Sequence, residues 1–112
     1  MLCPTRIRVR KMIADVITKN GYYQVLNERG QKIAEKSESA LGELQGFTDR
    51  FLLFHKGNYF VTYDESFRKI SEVYENNVGV FKGVAGQYMT FIKGSYVVTF
   101  DMMFKKISER HV

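Results

Sequence analysis

Histidine and cysteine, the side chains that most readily act as a base or a nucleophile near neutral pH, are few in this chain and lie far apart. His55 and His111 are the histidines, Cys3 is the only cysteine, and Asp64 and Glu65 are neighbouring carboxylates. Neighbouring acids in a turn usually serve its geometry, and the two histidines do not match a metal-ligand spacing. No phosphate loop, dinucleotide glycine fingerprint or nucleophile elbow is present. We therefore predict that the protein is not an enzyme and has no catalytic residues, metal or cofactor.

The chemistry that the sequence favours is binding by residues that recur every 37 positions. Segment 51–72, shifted by 37, matches segment 88–109 at 12 of 22 positions, and the weaker copy at 14–35 stays in register. A fixed period of this length is typical of a repeat architecture. All three copies share Lys19, Lys56, Lys93; Tyr22, Tyr59, Tyr96; and Ile33, Ile70, Ile107, and nearly share Asn27, Asp64, Asp101.

The repeated lysines and tyrosines are the candidate ligand site. Each lysine lies beside a predicted hairpin turn, so a closed repeat fold gathers all three at one end of the molecule. Ammonium groups next to aromatic rings can hold an anionic or polyanionic ligand, because the rings offer stacking surface. The alternative interpretation is that the lysines serve the turn and that the tyrosines belong to the core.

One turn of the third copy departs from the pattern of the other two. Met102 and Met103 stand where the other copies have Glu28-Arg29 and Glu65-Ser66. Flexible apolar side chains are common at adaptable binding surfaces. We predict that this turn is an interface with a second chain; the alternative is that both side chains fold back onto the core.

The elements that position these residues are short strands. In the middle copy, segments 42–48, 51–55, 59–63 and 67–72 are rich in β-branched and aromatic residues and are separated by turn residues. The first copy begins with a candidate strand from Arg6 to Met12, and its Asn20-Gly21 dipeptide favours a type I′ turn. We predict one all-β domain over residues 1–112, made of three tandem four-stranded antiparallel repeats at 5–41, 42–78 and 79–112.

Two smaller features refine this organisation. Ser37 to Leu44 can form a helical turn. The glycines in the first strand of the second and third copies indicate close approach to another backbone; they are Gly42, Gly46, Gly79 and Gly83.

Two architectures use four-stranded units of this size. The spacing from Asp64 to Ile70, and from Asp101 to Ile107, resembles the hairpin between the third and fourth strands of β-propeller repeats, such as those of quinoprotein-like and surface-layer propellers. The middle strands are apolar on both faces, as in a blade packed between two others. A propeller typically has about four blades or more, and this chain supplies three. The resemblance therefore implies a half-propeller that is completed by dimerisation.

The alternative architecture is a single-chain β-trefoil. Three units close such a fold within one chain. The stretch Lys56-Gly57-Asn58-Tyr59-Phe60 resembles the hairpin of fascin-type and growth-factor-type trefoils.

Composition bounds the partners and the compartment. A net charge of +5 permits binding to an anionic surface, although we interpret the basic cluster at residues 6–11 as a solvated strand face. The single cysteine excludes an internal disulfide and fits a reducing compartment. No apolar run could span a bilayer, and the opening residues lack the apolar middle of a signal peptide. We expect a cytoplasmic protein without membrane contact.

These observations favour a non-enzymatic, self-associating β-repeat module, a homodimer that binds or scaffolds a protein partner. One alternative is a basic protein that binds nucleic acid or another polyanion. A further alternative is a lectin-like sugar binder, which rests on fold analogy and is disfavoured by the lack of tryptophan. Salt dependence separates the first two, because phosphate contacts weaken steeply with ionic strength.

Overall fold

The computed structural model describes residues 12–112 and contains three antiparallel sheets, one for each repeat. The first sheet consists of β1 (Asp15–Lys19), β2 (Tyr22–Leu26) and β3 (Lys32–Ser37). The second consists of β4 (Glu43–Phe47), β5 (Leu52–Lys56), β6 (Tyr59–Tyr63) and β7 (Lys69–Tyr74). The third consists of β8 (Val80–Ala85), β9 (Tyr88–Lys93), β10 (Tyr96–Asp101) and β11 (Lys106–His111). The predicted all-β repeat fold is confirmed.

The three sheets remain separate. Strands adjacent in sequence are adjacent in each sheet, and each sheet holds strands of one repeat only. A β-trefoil requires strands of all three units in one barrel, and the sheets are not closed into a barrel. The trefoil alternative is therefore not supported. Cys3, the basic cluster and residues 6–11 of the predicted first strand lie outside the described residues.

The hairpin that carries the repeated lysine and tyrosine has a two-residue turn in every sheet. In the first sheet Asn20 and Gly21 have φ values of 53° and 83°, and Lys19 pairs with Tyr22. Positive φ at both positions is what a type I′ turn requires, and asparagine and glycine are the residues that adopt it most readily. This prediction is confirmed.

The turn between the last two strands is built in the same way in every sheet. An Asn or Asp side chain at its first position accepts two backbone N–H bonds, as expected for residues that stabilise turns. The acceptors are Oδ1 of Asn27, Asp64 and Asp101, at 2.8–2.9 Å from the amides of Arg29 and Gln31, Ser66 and Arg68, and Met103 and Lys105. The fourth residue of each turn has positive φ, and it is Gly30, Phe67 or Phe104.

The connections between sheets explain two of the glycines. A Cβ at Gly42 would lie 2.6 Å from the His55 carbonyl oxygen, and one at Gly79 would lie 2.3 Å from that of Ile92. The predicted backbone approach is confirmed at both positions. It is wrong at Gly46, where the neighbours are side chains of β8, and at Gly83, where nothing lies within 4 Å. Both of these glycines instead lie at β-bulges.

The predicted helical turn is α1 (Glu38–Leu41), which connects the first two sheets. Ser37 is its N-cap, and the Ser37 hydroxyl accepts a hydrogen bond from the Ala40 amide at 3.3 Å. A 3-10 turn at Glu75–Asn77 connects the second and third sheets.

The sheets pack face to face around two apolar cores. We call the face of a sheet that is directed at the next sheet in the chain its forward face, and the opposite one its rear face. In the third sheet, the rear face is the one directed at the second sheet and the forward face is the one directed away from it. The first core, between the first and second sheets, contains Ile13, Val25, Leu41, Leu52, Phe54, Val61, Tyr63 and Phe67. The second core, between the second and third sheets, contains Phe51, Leu53, Phe60, Val78, Met89, Phe91, Val98 and Phe100. The middle sheet is therefore buried on both faces, as its continuous apolar runs predicted.

Candidate interaction surfaces

The predicted ligand residues occupy one equivalent position in each sheet. The lysines are the last residues of β1, β5 and β9, and the tyrosines are the first residues of β2, β6 and β10. Each lysine is paired with the tyrosine of the next strand: Lys19 with Tyr22, Lys56 with Tyr59, and Lys93 with Tyr96. The three tyrosines are 42–44% exposed. The interpretation of the tyrosines as core residues is wrong, because none of the three belongs to either apolar core. The Tyr59 ring packs edge-on against Tyr74, and the Tyr96 ring against His111.

Two of the lysines also stabilise the connections. Lys56 Nζ donates to the Ala40 carbonyl at 3.1 Å, and Lys93 Nζ donates to the Asn77 carbonyl at 3.4 Å. Both carbonyls belong to the short helical segment that precedes the sheet, where free carbonyls at a helix end attract cations. This gives the lysines a structural role. Ligand binding by the six residues stays a prediction.

His55 lies in a groove between the second and third sheets. Its Nε2 is 2.7 Å from Glu75 Oε1, and its ring centroid is 4.7 Å from that of Phe60. The groove has a volume of about 460 Å³ and is also lined by Glu43 and Phe81. Across residues 12–112, no group of three or more His, Cys, Asp or Glu side chains could hold a metal ion. The pair joins the hairpin to the 3-10 turn, and such partly exposed pairs contribute little to stability.

The methionine turn contacts its own chain. Met102 packs partly against the second core, and its carbonyl accepts a hydrogen bond from Thr62 Oγ1 at 2.7 Å. The Met103 carbonyl accepts one from Ser71 Oγ at 3.2 Å. The Met103 side chain is 61% exposed. Contact of this side chain with a second chain stays a prediction.

Sequence reasoning missed Thr62 and Ser71. Thr62 is fully buried and is the buried polar side chain of the described core. A signal was present in the repeat, because the third copy has Thr99 and Ser108 at the same positions whereas the first has Val25 and Ala34.

Within the described part of the chain, the forward face of the third sheet is uncovered. Ile33 packs against the first core and Ile70 against the second, but Ile107, which occupies the same repeat position, is 50% exposed. Val80, at the start of the same sheet, is 70% exposed, and every residue of β11 is exposed. Within residues 12–112, no sheet lies against this face.

The rear face of the first sheet is more polar than the rear faces of the other two. Asp15 and Gln24 occupy positions that are Leu52 and Val61 in the second sheet. Glu35 accepts hydrogen bonds from Lys32 at 2.9 Å and Gln24 at 3.1 Å, and these bonds lower the pKa of its carboxyl group. Ile17 is 37% exposed on this face. Both end faces are thus mixtures of apolar and polar groups.

Comparison with known proteins leaves the chain without an assigned family. No protein-family model matches it, and no curated protein gives a significant match. Among residues 12–112 there is no helix with the length and apolarity needed to cross a membrane.

Proposed function

We propose that this protein is a non-enzymatic β-repeat module that self-associates through its two end sheets, and that the assembly binds or scaffolds a protein partner. The observation that supports this proposal most strongly is the exposure of Ile107. The equivalent isoleucines of the first two sheets pack against a core, whereas Ile107 is left 50% exposed. Repeat stacks normally end in units with polar outer faces. An apolar residue at the repeated contact position therefore favours a further sheet from a second copy.

The arrangement of the sheets supports propeller-type blades. The first strands of the second and third sheets, β4 and β8, lie against each other, and Gly46 leaves room there, since a Cβ would be 3.1 Å from Val84 Cγ2. Blades converge in this way at their first strands around a central axis. Two chains would supply six such sheets. We further propose a cytoplasmic location, because a single cysteine suits a reducing compartment.

A charge-introducing variant tests the self-association. Ile107→Glu places a carboxylate in the proposed contact without disturbing either core, so the expected result is a folded protein with a dissociation constant raised by at least about tenfold. Val112→Glu is the matched control, because Val112 is also exposed, at 74%, but lies beyond the last strand. Sedimentation velocity over a concentration series measures both. Equal association of the two variants would refute the proposed surface.

A second candidate function is binding to a polyanion. The observation that favours it is the exposure of Tyr22, Tyr59 and Tyr96 beside lysines in a chain of net charge +5. Charge reversal in the Lys56→Glu, Lys93→Glu variant should then reduce retention on an anionic resin and weaken binding to single-stranded nucleic acid. Binding that is unchanged in the variant, or insensitive to salt, would exclude this function.

A further inference from the structure

The contact between the second and third sheets contains two hydrogen bonds with a defined pattern. Thr62 and Ser71 are paired across β6 and β7, and both hydroxyls are directed at the turn that begins at Asp101. Thr62 donates to the Met102 carbonyl at 2.7 Å and Ser71 to the Met103 carbonyl at 3.2 Å. The hydroxyl pair of one sheet thus binds two successive carbonyls in a turn of the next sheet.

The same hydroxyl pair recurs on the uncovered forward face of the third sheet. Thr99 and Ser108 are paired across β10 and β11 at the repeat positions of Thr62 and Ser71. The repeat does not require hydroxyls there, because the first sheet pairs Val25 with Ala34 and still packs against the second. Thr99 and Ser108 therefore form a donor pair of the kind that binds a turn, on a face that no sheet covers within residues 12–112.

The complementary turn is present in the first sheet. Gly30 N donates to the Asn27 carbonyl at 2.9 Å, and the Phe104 amide donates to the Asp101 carbonyl at the same distance. Asn27 Oδ1 accepts two amides at 2.9 Å, as Asp101 Oδ1 does. The carbonyls of Glu28 and Arg29 in the first turn therefore correspond to those of Met102 and Met103 in the third.

This turn lies on the rear side of the first sheet. The corresponding residues Phe67 and Phe104 pack against the core behind their own sheet. In the first sheet Gly30 replaces the aromatic ring, so no side chain from that position stands between the turn and an approaching surface.

We propose, on the basis of the self-association above, that the third sheet of one copy docks on the first sheet of a second copy. In this contact the Thr99 and Ser108 hydroxyls of the first copy donate to the Glu28 and Arg29 carbonyls of the second copy. The contact continues the internal packing of the second sheet on the third. Each copy carries one donor pair and one acceptor turn, so two copies related by a two-fold axis make the contact twice and close the assembly.

The Thr99→Val, Ser108→Ala variant tests the donor pair. It carries the residues that the first sheet has at these positions, so the monomer should fold. The dissociation constant measured by sedimentation velocity should rise by at least about tenfold, since two hydrogen bonds are lost at each contact. Thr90→Val is the control, because Thr90 pairs with Thr99 on the same face and the first sheet has Val16 at its repeat position. This control should associate like the unmodified protein.

The acceptor turn is tested separately. Asn27→Ala removes the side chain that shapes the turn and should also weaken association, whereas Asp64→Ala loosens the equivalent internal turn and should leave the dissociation constant unchanged. Suppose that the unmodified protein associates and that two variants, the Thr99→Val, Ser108→Ala double variant and the Asn27→Ala single variant, associate equally well. This result overturns the contact and leaves the proposed self-association standing. An unmodified protein that is monomeric at all concentrations overturns both.

Discussion

At the scale of single residues, Phe67 combines a favourable contact with an unfavourable backbone. Its side chain is 4% exposed and packs near Phe54, but its φ is 61°, a region that costs residues with a Cβ about 1–2 kcal/mol. Truncation to Ala should cost about 3–5 kcal/mol of unfolding free energy. Truncation to Gly also relieves the backbone strain, so we expect Phe67→Gly to be more stable than Phe67→Ala by about 1 kcal/mol.

This order reverses the usual ranking, since Ala is normally the more stable because it restricts the unfolded chain. Urea denaturation of both variants measures the difference. A Phe67→Ala protein that is the more stable of the two would show that the turn does not hold this residue at positive φ.

Tyr63 gives the molecule a pH dependence at alkaline pH. Its side chain is 8% exposed, and burial raises the pKa of its phenol, while Lys36 Nζ lies 5.8 Å from the ring centroid. The folded state therefore keeps the proton to a higher pH than the unfolded chain. The contribution of this phenol to the unfolding free energy is fully present below the unfolded-state pKa of about 10, and it falls as the pH rises above that value.

The loss of stability at alkaline pH predicts the effect of Tyr63→Phe. Phenylalanine does not titrate, so the stability of the variant relative to the unmodified protein should improve between about pH 9 and pH 11. Thermal denaturation across this range measures the trend. A constant difference would mean that Tyr63 ionises equally in the folded and unfolded states.

At the scale of elements, the sheet contacts depend on a few polar groups. Thr62→Val keeps the shape of the side chain but leaves the part-buried Met102 carbonyl without its donor, which should cost about 1–3 kcal/mol of unfolding free energy. Thr90→Val removes a hydroxyl from the forward face of the third sheet and should change stability by less than about 0.5 kcal/mol. Chemical denaturation of both variants makes the comparison, and equal effects would show that the Thr62 bond contributes nothing specific.

The turn between the last two strands accepts either Asn or Asp. Asp64→Asn should be nearly neutral, because Asn27 makes the same two bonds in the first sheet, whereas Asp64→Ala should lower the unfolding free energy by about 1–3 kcal/mol. A large loss in Asp64→Asn would instead assign the effect to the carboxylate charge.

The sequence predicts local structure better than contacts between elements. Asn20-Gly21 indicates its turn because few residue pairs adopt positive φ, and Ser37 indicates the helix that it caps. The exposure of Tyr59 could not be predicted, since a tyrosine in a strand suits a core and a solvated hairpin end equally. Thr62 was also missed. A buried hydroxyl stabilises a core only when it has a hydrogen-bond partner, and here the partner is a carbonyl from a distant segment of the chain.

At the scale of the whole molecule, the repeat predicts the number and type of units but not how the stack ends. The copies differ at the end faces: Asp15 and Gly30 replace apolar residues on the first sheet, whereas the third sheet keeps Ile107, Thr99 and Ser108. These differences become meaningful only when the structure shows which faces are covered. They favour contact between copies over an unlimited apolar stack.

The solution mass of the unmodified protein tests this account most directly. Light scattering combined with size-exclusion chromatography, over a range of concentrations, distinguishes one chain of 13.1 kDa from an assembly of two. We predict a mass of about twice the chain mass at high concentration, with dissociation on dilution. A mass of 13.1 kDa at every concentration would contradict self-association through the end sheets.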